Sequence, residues 1–350
     1  MTPYYVLIGA ISVLCSLNLF SLRTKEGRLF LYILIVFVLI IFAGFRSDDP
    51  DYWNYSASFE EICRNHRPRI ADPGFNLLLQ VIATFSHAPV FMFFSVAAIA
   101  VSLNAISIYR YTPYFFAAIL LYFGHNFCLK EMIQIRVGLA SAICIFSFYY
   151  LMNRRMKTFW VLLFCAVTVH LTTIVFLLAY LTQKYLSRKQ LLYFVGGSLA
   201  IGLLFPFGAI LKTYMGINPR LDSYIAYGSD GYAQSMGILN NLNAMKCLII
   251  FAFLYYFYDS LNSKNRYFRL LFSSYSAGLC WLLLFNDFAI IGARMSNVLL
   301  SVEPILLTYP FGIFKQGSKW IYLVSLIALA IIMFNMNIAP SKVTPYHFYF

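Results

Sequence analysis

The sequence predicts an all-α polytopic membrane protein, with about ten transmembrane helices and one re-entrant or broken helix pair. Three observations carry that expectation. Of 350 residues, 61% are hydrophobic and 11% charged, whereas soluble domains carry about a quarter charged residues. Mean hydropathy is +0.74. Apolar runs near the length needed to cross about 30 Å of hydrocarbon recur from one end of the chain to the other, which leaves no stretch for a large soluble domain.

Taken in order, the expected spans are 3–22, 29–45, 90–109, 113–127, 132–152, 191–211, 242–258, 268–287, 293–311 and 320–337. The first lacks the basic start, short apolar core and small-residue cleavage site of a removable signal peptide, so it is kept as a span. The clusters RTKEGR, NRRMK, KYLSRK, NSKNR and KQGSK separate the runs and account for most of the net charge of +13. They read as cytoplasmic topology signals and anionic-lipid contacts rather than a nucleic-acid surface. NRRMK and KYLSRK flank a single apolar stretch, so an ordinary crossing would strand one of them outside. A re-entrant hairpin over 158–184, turning near CAVTVH, removes that conflict; a plain single span is the competitor. Three outward segments then emerge, 46–89, 124–131 and 212–241. The first is expected to carry a short interfacial helix that begins at DPG. The third is rich in Tyr, Gly, Asn and Ser, a composition that suits either sugar contact or an aromatic interface belt. No repeat or linker divides residues 1–350, which read as a single integral membrane domain.

Ionisable groups within or beside apolar runs are the most informative positions, because a charge at depth is costly and usually faces a wet cavity or a partner. They are Arg46 at the end of the second run, Arg136 in KEMIQIRVGLASAI, His170 in TVHLTTI, and Arg294 in NDFAIIGARMSNVLLSVEP. Together they point to an outward-facing anion site, since guanidinium grips phosphate oxygens bidentately and does not deprotonate. Each also has a plainer reading. Arg46 could snorkel to the interface, Arg136 could pair with Glu131, Arg294 with Asp287, and His170 could be a packing histidine. Glu303, before Pro304, is either a partner for one of these cations or a kink feature. Asp48, Asp49 and Asp51 could hold a divalent cation, but Pro50 interrupts the run and no second acidic pair follows, so a metal-free site with no cofactor is expected. Seven cysteines without a CxxC pair indicate neither a zinc site nor a disulfide framework. P-loop, GxSxG and HExxH patterns are absent.

GFRSDDPDYWNYSASFEEI, with Arg46, Asp51, Tyr52, Tyr55 and Phe59, resembles the signature of EpsG-like membrane proteins, in which an arginine ends the second span and an Asp-Tyr, a second Tyr and a Phe follow. DPGFNLLLQVIA, IRVGLASAI, VHLTTIVFLLAYL and ARMSNVLLSVEP match further along in the same order. These proteins are similar to the Wzy-type O-antigen and exopolysaccharide polymerases of bacterial inner membranes. The resemblance implies a GT-C-like polymerase architecture, a multi-pass inner-membrane location, and a metal-independent glycosyltransferase that joins undecaprenyl-diphosphate-linked repeat units at the periplasmic face. The implied partners are the lipid-linked glycan donor and acceptor, membrane lipid, and a chain-length regulator protein; nucleic acid is not among them. Within that frame Arg136 and Arg294 are expected to bind the diphosphate with Arg46 assisting, and Tyr52 and Tyr55 to contact sugar. His170, or failing that Asp51, is expected to take the acceptor proton. Competing readings are a flippase for lipid-linked oligosaccharide, which should show an internal repeat, an O-antigen ligase, which should carry a larger outward domain, and a membrane acyltransferase, which should show a His-centred acyl motif.

Overall fold

A computed structural model describes residues 1–20, 24–47, 50–65, 70–205, 237–286, 289–338 and 345–349. Helix dominates them, as backbone groups in hydrocarbon require, since each must find its hydrogen bond within its own segment. Among the described residues four helices have the length and apolarity to cross a bilayer: Lys25–Gly44, Pro89–Tyr111, Ile135–Met152 and Gln316–Met336. Thr2–Leu17, Pro73–Ala83, Met156–Val169 and Phe268–Leu284 are shorter apolar helices. The chain is an all-α polytopic membrane protein. It forms two compact units, Met1–Thr173 with Pro304–Phe350, and Ile174–Glu303.

In the first unit, α1 (Thr2–Phe20) packs on α6 (Phe115–Tyr122), and α2 (Lys25–Gly44) packs on α5 (Pro89–Tyr111). Helix α5 packs in turn on α7 (Ile135–Met152), and α7 on α8 (Met156–Val169). Proline sets both ends of α5. Pro89 sits in its first turn, where a missing N–H costs nothing. Pro113 forces Thr112 before it into extended backbone, with φ −138° and ψ 139°.

Helix α6 runs directly into a π-helix, Phe123–Ile133, in which only His125 and Leu129 escape full burial. The segment 124–131, expected to face outward, takes the form of this helix. A wide helix keeps its backbone bonds internal where a buried loop would orphan them. Glu131 near its end is accommodated as well, because it accepts bonds of 3.0 Å from both Asn104 and Tyr122.

Segment 46–89 holds two helices, α3 (Tyr52–Asn65) and α4 (Pro73–Ala83), rather than one. Tyr52, Tyr55, Phe59 and Ile62 recur at helical spacing along α3 and share a core with Phe75, Leu79 and Ile82 of α4 and with Phe93 of α5. Each large side chain buried there contributes roughly 1.5–3 kcal/mol. Before α3, β1 (Arg46–Ser47) pairs antiparallel with β2 (His347–Phe348). The pairing is reinforced by a Tyr349 N–H to Phe45 carbonyl bond of 2.9 Å and by Tyr346, whose ring stacks on Phe42 at 4.0 Å.

In the second unit, α9 (Leu177–Tyr185) and α10 (Arg188–Leu204) pack on the helix Phe268–Leu284, as do Leu242–Tyr256 and Ala289–Leu300. A capping box of Ser187 and Gln190 opens α10. Asn241 caps Leu242–Tyr256 by accepting from the N–H groups of Asn243 and Ala244. A 71° bend separates Leu242–Tyr256 from Tyr258–Lys264.

The expected span 293–311 is interrupted: helix stops at Leu300, a short helix covers Glu303–Leu306, and a 3₁₀ turn covers Tyr309–Gly312. Pro304 supplies the reason, having no N–H to continue the ladder. Segment 158–184 is also broken. Helix α8 ends at Val169, His170 is extended (φ −157°, ψ 118°), and a 3₁₀ turn, Leu171–Phe176, precedes α9. Most of the expected outward segment 212–241, namely 212–236, lies outside the described residues, as do Asp48 and Asp49.

Candidate active site

Four elements of the first unit, α3, α4, α7 and α8, bring Tyr55, Asp72, Arg136 and His170 together. Asp72 stands at the N-cap position of α4 in extended backbone (φ −95°, ψ 107°), with Pro73 in the first turn. Aspartate there ordinarily caps the helix, yet its side chain makes no capping bond. Its Oδ2 accepts from Arg136 Nη1 at 2.5 Å and lies 3.2 Å from His170 Nδ1. Asn76 steadies the approach to the helix by donating to the Ile70 carbonyl at 2.6 Å.

Gly74 explains how a residue before α4 meets one after α8. A Cβ at Gly74 would lie 2.4 Å from Thr168 Oγ1 and 2.8 Å from the Thr168 carbonyl carbon, so the two helices touch backbone to backbone. Asp72 lies two residues before that contact and His170 two residues after it. Gly74→Ala should push α4 and α8 apart and cost about 1–3 kcal/mol, with a larger proportional loss of activity than of stability. Thermal unfolding measured beside activity checks this; an unchanged variant would mean that the contact does not set the site.

Arg136 occupies the first turn of α7. Its Nε donates to the Tyr55 hydroxyl at 3.3 Å, and its guanidinium carbon lies 5.7 Å from the Tyr55 ring centre. Burial alone would raise the Asp72 carboxyl. The hydrogen bond and charge of His170, then the charge and hydrogen bond of Arg136, outweigh burial and hold it below the usual carboxylate range. Burial pushes the Tyr55 phenol up against the opposing pull of Arg136, so it stays protonated. Where the imidazole is neutral, an ionised Asp72 favours the tautomer with its proton on Nδ1, and Nε2 is then the accepting nitrogen. Among the described residues no hydrogen-bond partner is recorded for Nε2. The side chains of Arg136 and His170 are 29% and 17% exposed, so both can be reached.

The remaining sequence candidates are placed as follows. Arg46 is 2% exposed, donates from Nη1 to the Ala43 carbonyl at 2.5 Å, and lies 4.9 Å from the Phe93 ring centre. Tyr52 stacks on that same ring at 4.8 Å, and Tyr55 meets it edge-on at 6.5 Å. Arg46, Tyr52, Tyr55, Arg136 and His170 thus belong to one neighbourhood, linked through Phe93 and Asp72. Tyr52 and Tyr55 are buried and hold the neighbourhood together with their rings, rather than presenting open faces. Asp51 sits in the turn before α3, half-buried, and its carbonyl accepts from Tyr55 N at 3.1 Å. Arg294 belongs to the second unit, exposed on Ala289–Leu300. Arg136 pairs with Asp72 rather than Glu131, and Asp287 lies outside the described residues. Among the described residues no three His, Cys, Asp or Glu side chains cluster as metal ligands.

Two partners escaped the sequence reading. Asp72 was legible only as the start of a helix in DPG. Lys246, largely covered on the helix Leu242–Tyr256, binds Glu303 at 2.8 Å and settles what that acid pairs with.

Among relatives, the chain is 29% identical over 331 residues to the amylovoran biosynthesis protein AmsC of Erwinia amylovora, covering 88% of each chain. No solved structure matches it. The sequence pattern of the EpsG family is matched across residues 29–348, and the chain belongs to that family.

Proposed function

We propose that the chain is a polysaccharide polymerase that transfers an undecaprenyl-diphosphate-linked glycan onto the non-reducing-end sugar of a second lipid-linked repeat unit, at the periplasmic face of a bacterial inner membrane. Support comes from membership of the EpsG family and from the likeness to a protein of amylovoran biosynthesis. The observation that carries the reading is Asp72 engaging an arginine and a histidine at once.

In the step proposed, an acceptor hydroxyl attacks the anomeric carbon of the donor. The new C–O bond forms as the bond to the diphosphate oxygen breaks and its electron pair leaves with the diphosphate. His170 Nε2 takes the hydroxyl proton. Asp72, fixed on Nδ1, orients the ring and stabilises the imidazolium that results. Arg136 offers its remaining N–H groups to the leaving diphosphate, where guanidinium can offset developing charge without a metal. Arg46, packed on Phe93, acts by supporting the neighbourhood, and Asp51 is the reserve choice of base. Segment 158–184 is read as the re-entrant hairpin that presents His170.

Deleting the gene in its host and separating the surface polysaccharide on a gel tests the activity. A ladder that collapses to one repeat supports polymerisation, whereas loss of all surface glycan points to a flippase or a ligase. Arg136→Lys keeps the charge but loses the planar fork, and should shorten chains and lower the rate about tenfold or more. Full-length chains from that variant would remove Arg136 from the diphosphate site.

A further inference from the structure

The antiparallel pair α2 and α5 leaves a groove of about 420 Å³ on the first unit, lined mainly by apolar side chains such as Leu29, Ile33, Val36 and Ile106, with Ser102 and Arg110 also on its wall. Tyr32 fixes the register of the pair by donating to the Ala105 carbonyl at 2.8 Å. Leu29, Ile33 and Ile106 are exposed side chains of bilayer-length helices, so the groove faces the hydrocarbon. At the end where α2 begins, the groove shares Tyr109 with a second cavity of about 240 Å³. Lys25, Arg28, Pro113 and Phe115 complete the described lining of that cavity, which holds two cations and no carboxylate.

Two further observations bear on an anion there. Arg28 is half-buried, and its Nε has no hydrogen-bond partner among the described residues. Thr24, at the N-cap of α2, makes no capping bond, so first-turn N–H groups are left for another acceptor at the positive end of the helix. Lys25 and Arg28 stand in that same opening stretch and outnumber the Glu26 carboxylate there, so a bound anion would balance the remaining positive charge. A cationic mouth that shares Tyr109 with an apolar channel along two spanning helices matches a phosphate head with an acyl chain attached.

We propose that this groove holds one acyl chain of an anionic phospholipid, with the lipid phosphate seated between Lys25, Arg28 and the start of α2. The site is separate from the Asp72 neighbourhood and takes no part in glycosyl transfer. The test uses the full-length protein in nanodiscs of equal phosphatidylglycerol and phosphatidylcholine, with protein-retained lipid counted by native mass spectrometry. The wild type should retain phosphatidylglycerol preferentially. The double variant Lys25→Gln/Arg28→Gln should lose that preference at least about fivefold through its missing charges. Ile33→Trp/Ile106→Trp, filling the groove at two exposed positions, should lose it to a similar degree. Equal retention of both lipids by the wild type would overturn the proposal, as would a preference that survives the charge variant. So would a preference that survives the groove variant and yields to inorganic phosphate, because the pocket would then take phosphate alone. Unfolding temperatures measured without added lipid confirm that each variant is folded.

Discussion

Asp72→Asn should slow chain extension by roughly 100-fold or more while leaving the purified protein folded. The amide keeps the shape of the carboxylate, but it carries no charge for Arg136 and no longer selects the Nδ1–H tautomer of His170. Both effects fall on one oxygen, because Oδ2 serves the two partners. Asp72→Glu should recover part of the rate by restoring the charge with one extra methylene. The pH dependence has a defined sign. A carboxyl held below its ordinary range contributes stability that is complete above about pH 4 and is lost as pH falls through the lowered value. Asp72 therefore gives no inflection of activity between about pH 5 and 8. Synthetic lipid-linked repeats and a timed extension assay would measure these effects. An Asn variant within about threefold of wild type would dismiss Asp72 as the hub.

Glu303→Gln should be among the most destabilising single changes in the second unit. Glu303 accepts from Lys246 Nζ at 2.8 Å and from the Tyr275 hydroxyl at 3.3 Å, and the two charged side chains are 2% and 12% exposed. Removing one partner of a buried pair leaves the other charge uncompensated, at about 3–5 kcal/mol. Replacing both, as Lys246→Met/Glu303→Gln, should recover most of that loss, since an apolar side chain of similar volume carries no stranded charge. Thermal unfolding in detergent, followed by tryptophan fluorescence, gives the four corners of the cycle. If the double variant were no more stable than Glu303→Gln alone, the pair would not be the source of the effect.

How far the sequence exposes this molecule depends on the kind of signal each part leaves. Composition is a sum over the whole chain, so the polytopic helical class is plain from it. Arg136 and His170 are legible because a charge inside an apolar run carries a high cost and needs a reason. Asp72 is not, since an acid before Pro-Gly has an ordinary explanation as a helix cap, and only the structure reveals that it does not cap. Helix α3 hides because Tyr52, Tyr55, Phe59 and Ile62 alternate with polar and acidic residues at the end of a greasy run. The π-helix is out of reach for another reason. Over eleven residues its period differs too little from that of an α-helix to leave a pattern. The break after Leu300 was foreshadowed by Pro304, whereas the pairing of Lys246 with Glu303 spans 57 positions and has no local signature.

The short ladder between residues 46–47 and 347–348 has a practical reach beyond its size. It ties the tail of the chain to the mouth of α2, the end that carries Arg46. Whichever compartment contains one contains the other. A topology reporter fused behind residue 349 therefore registers the side of the bilayer on which the Arg46 end of the first unit opens.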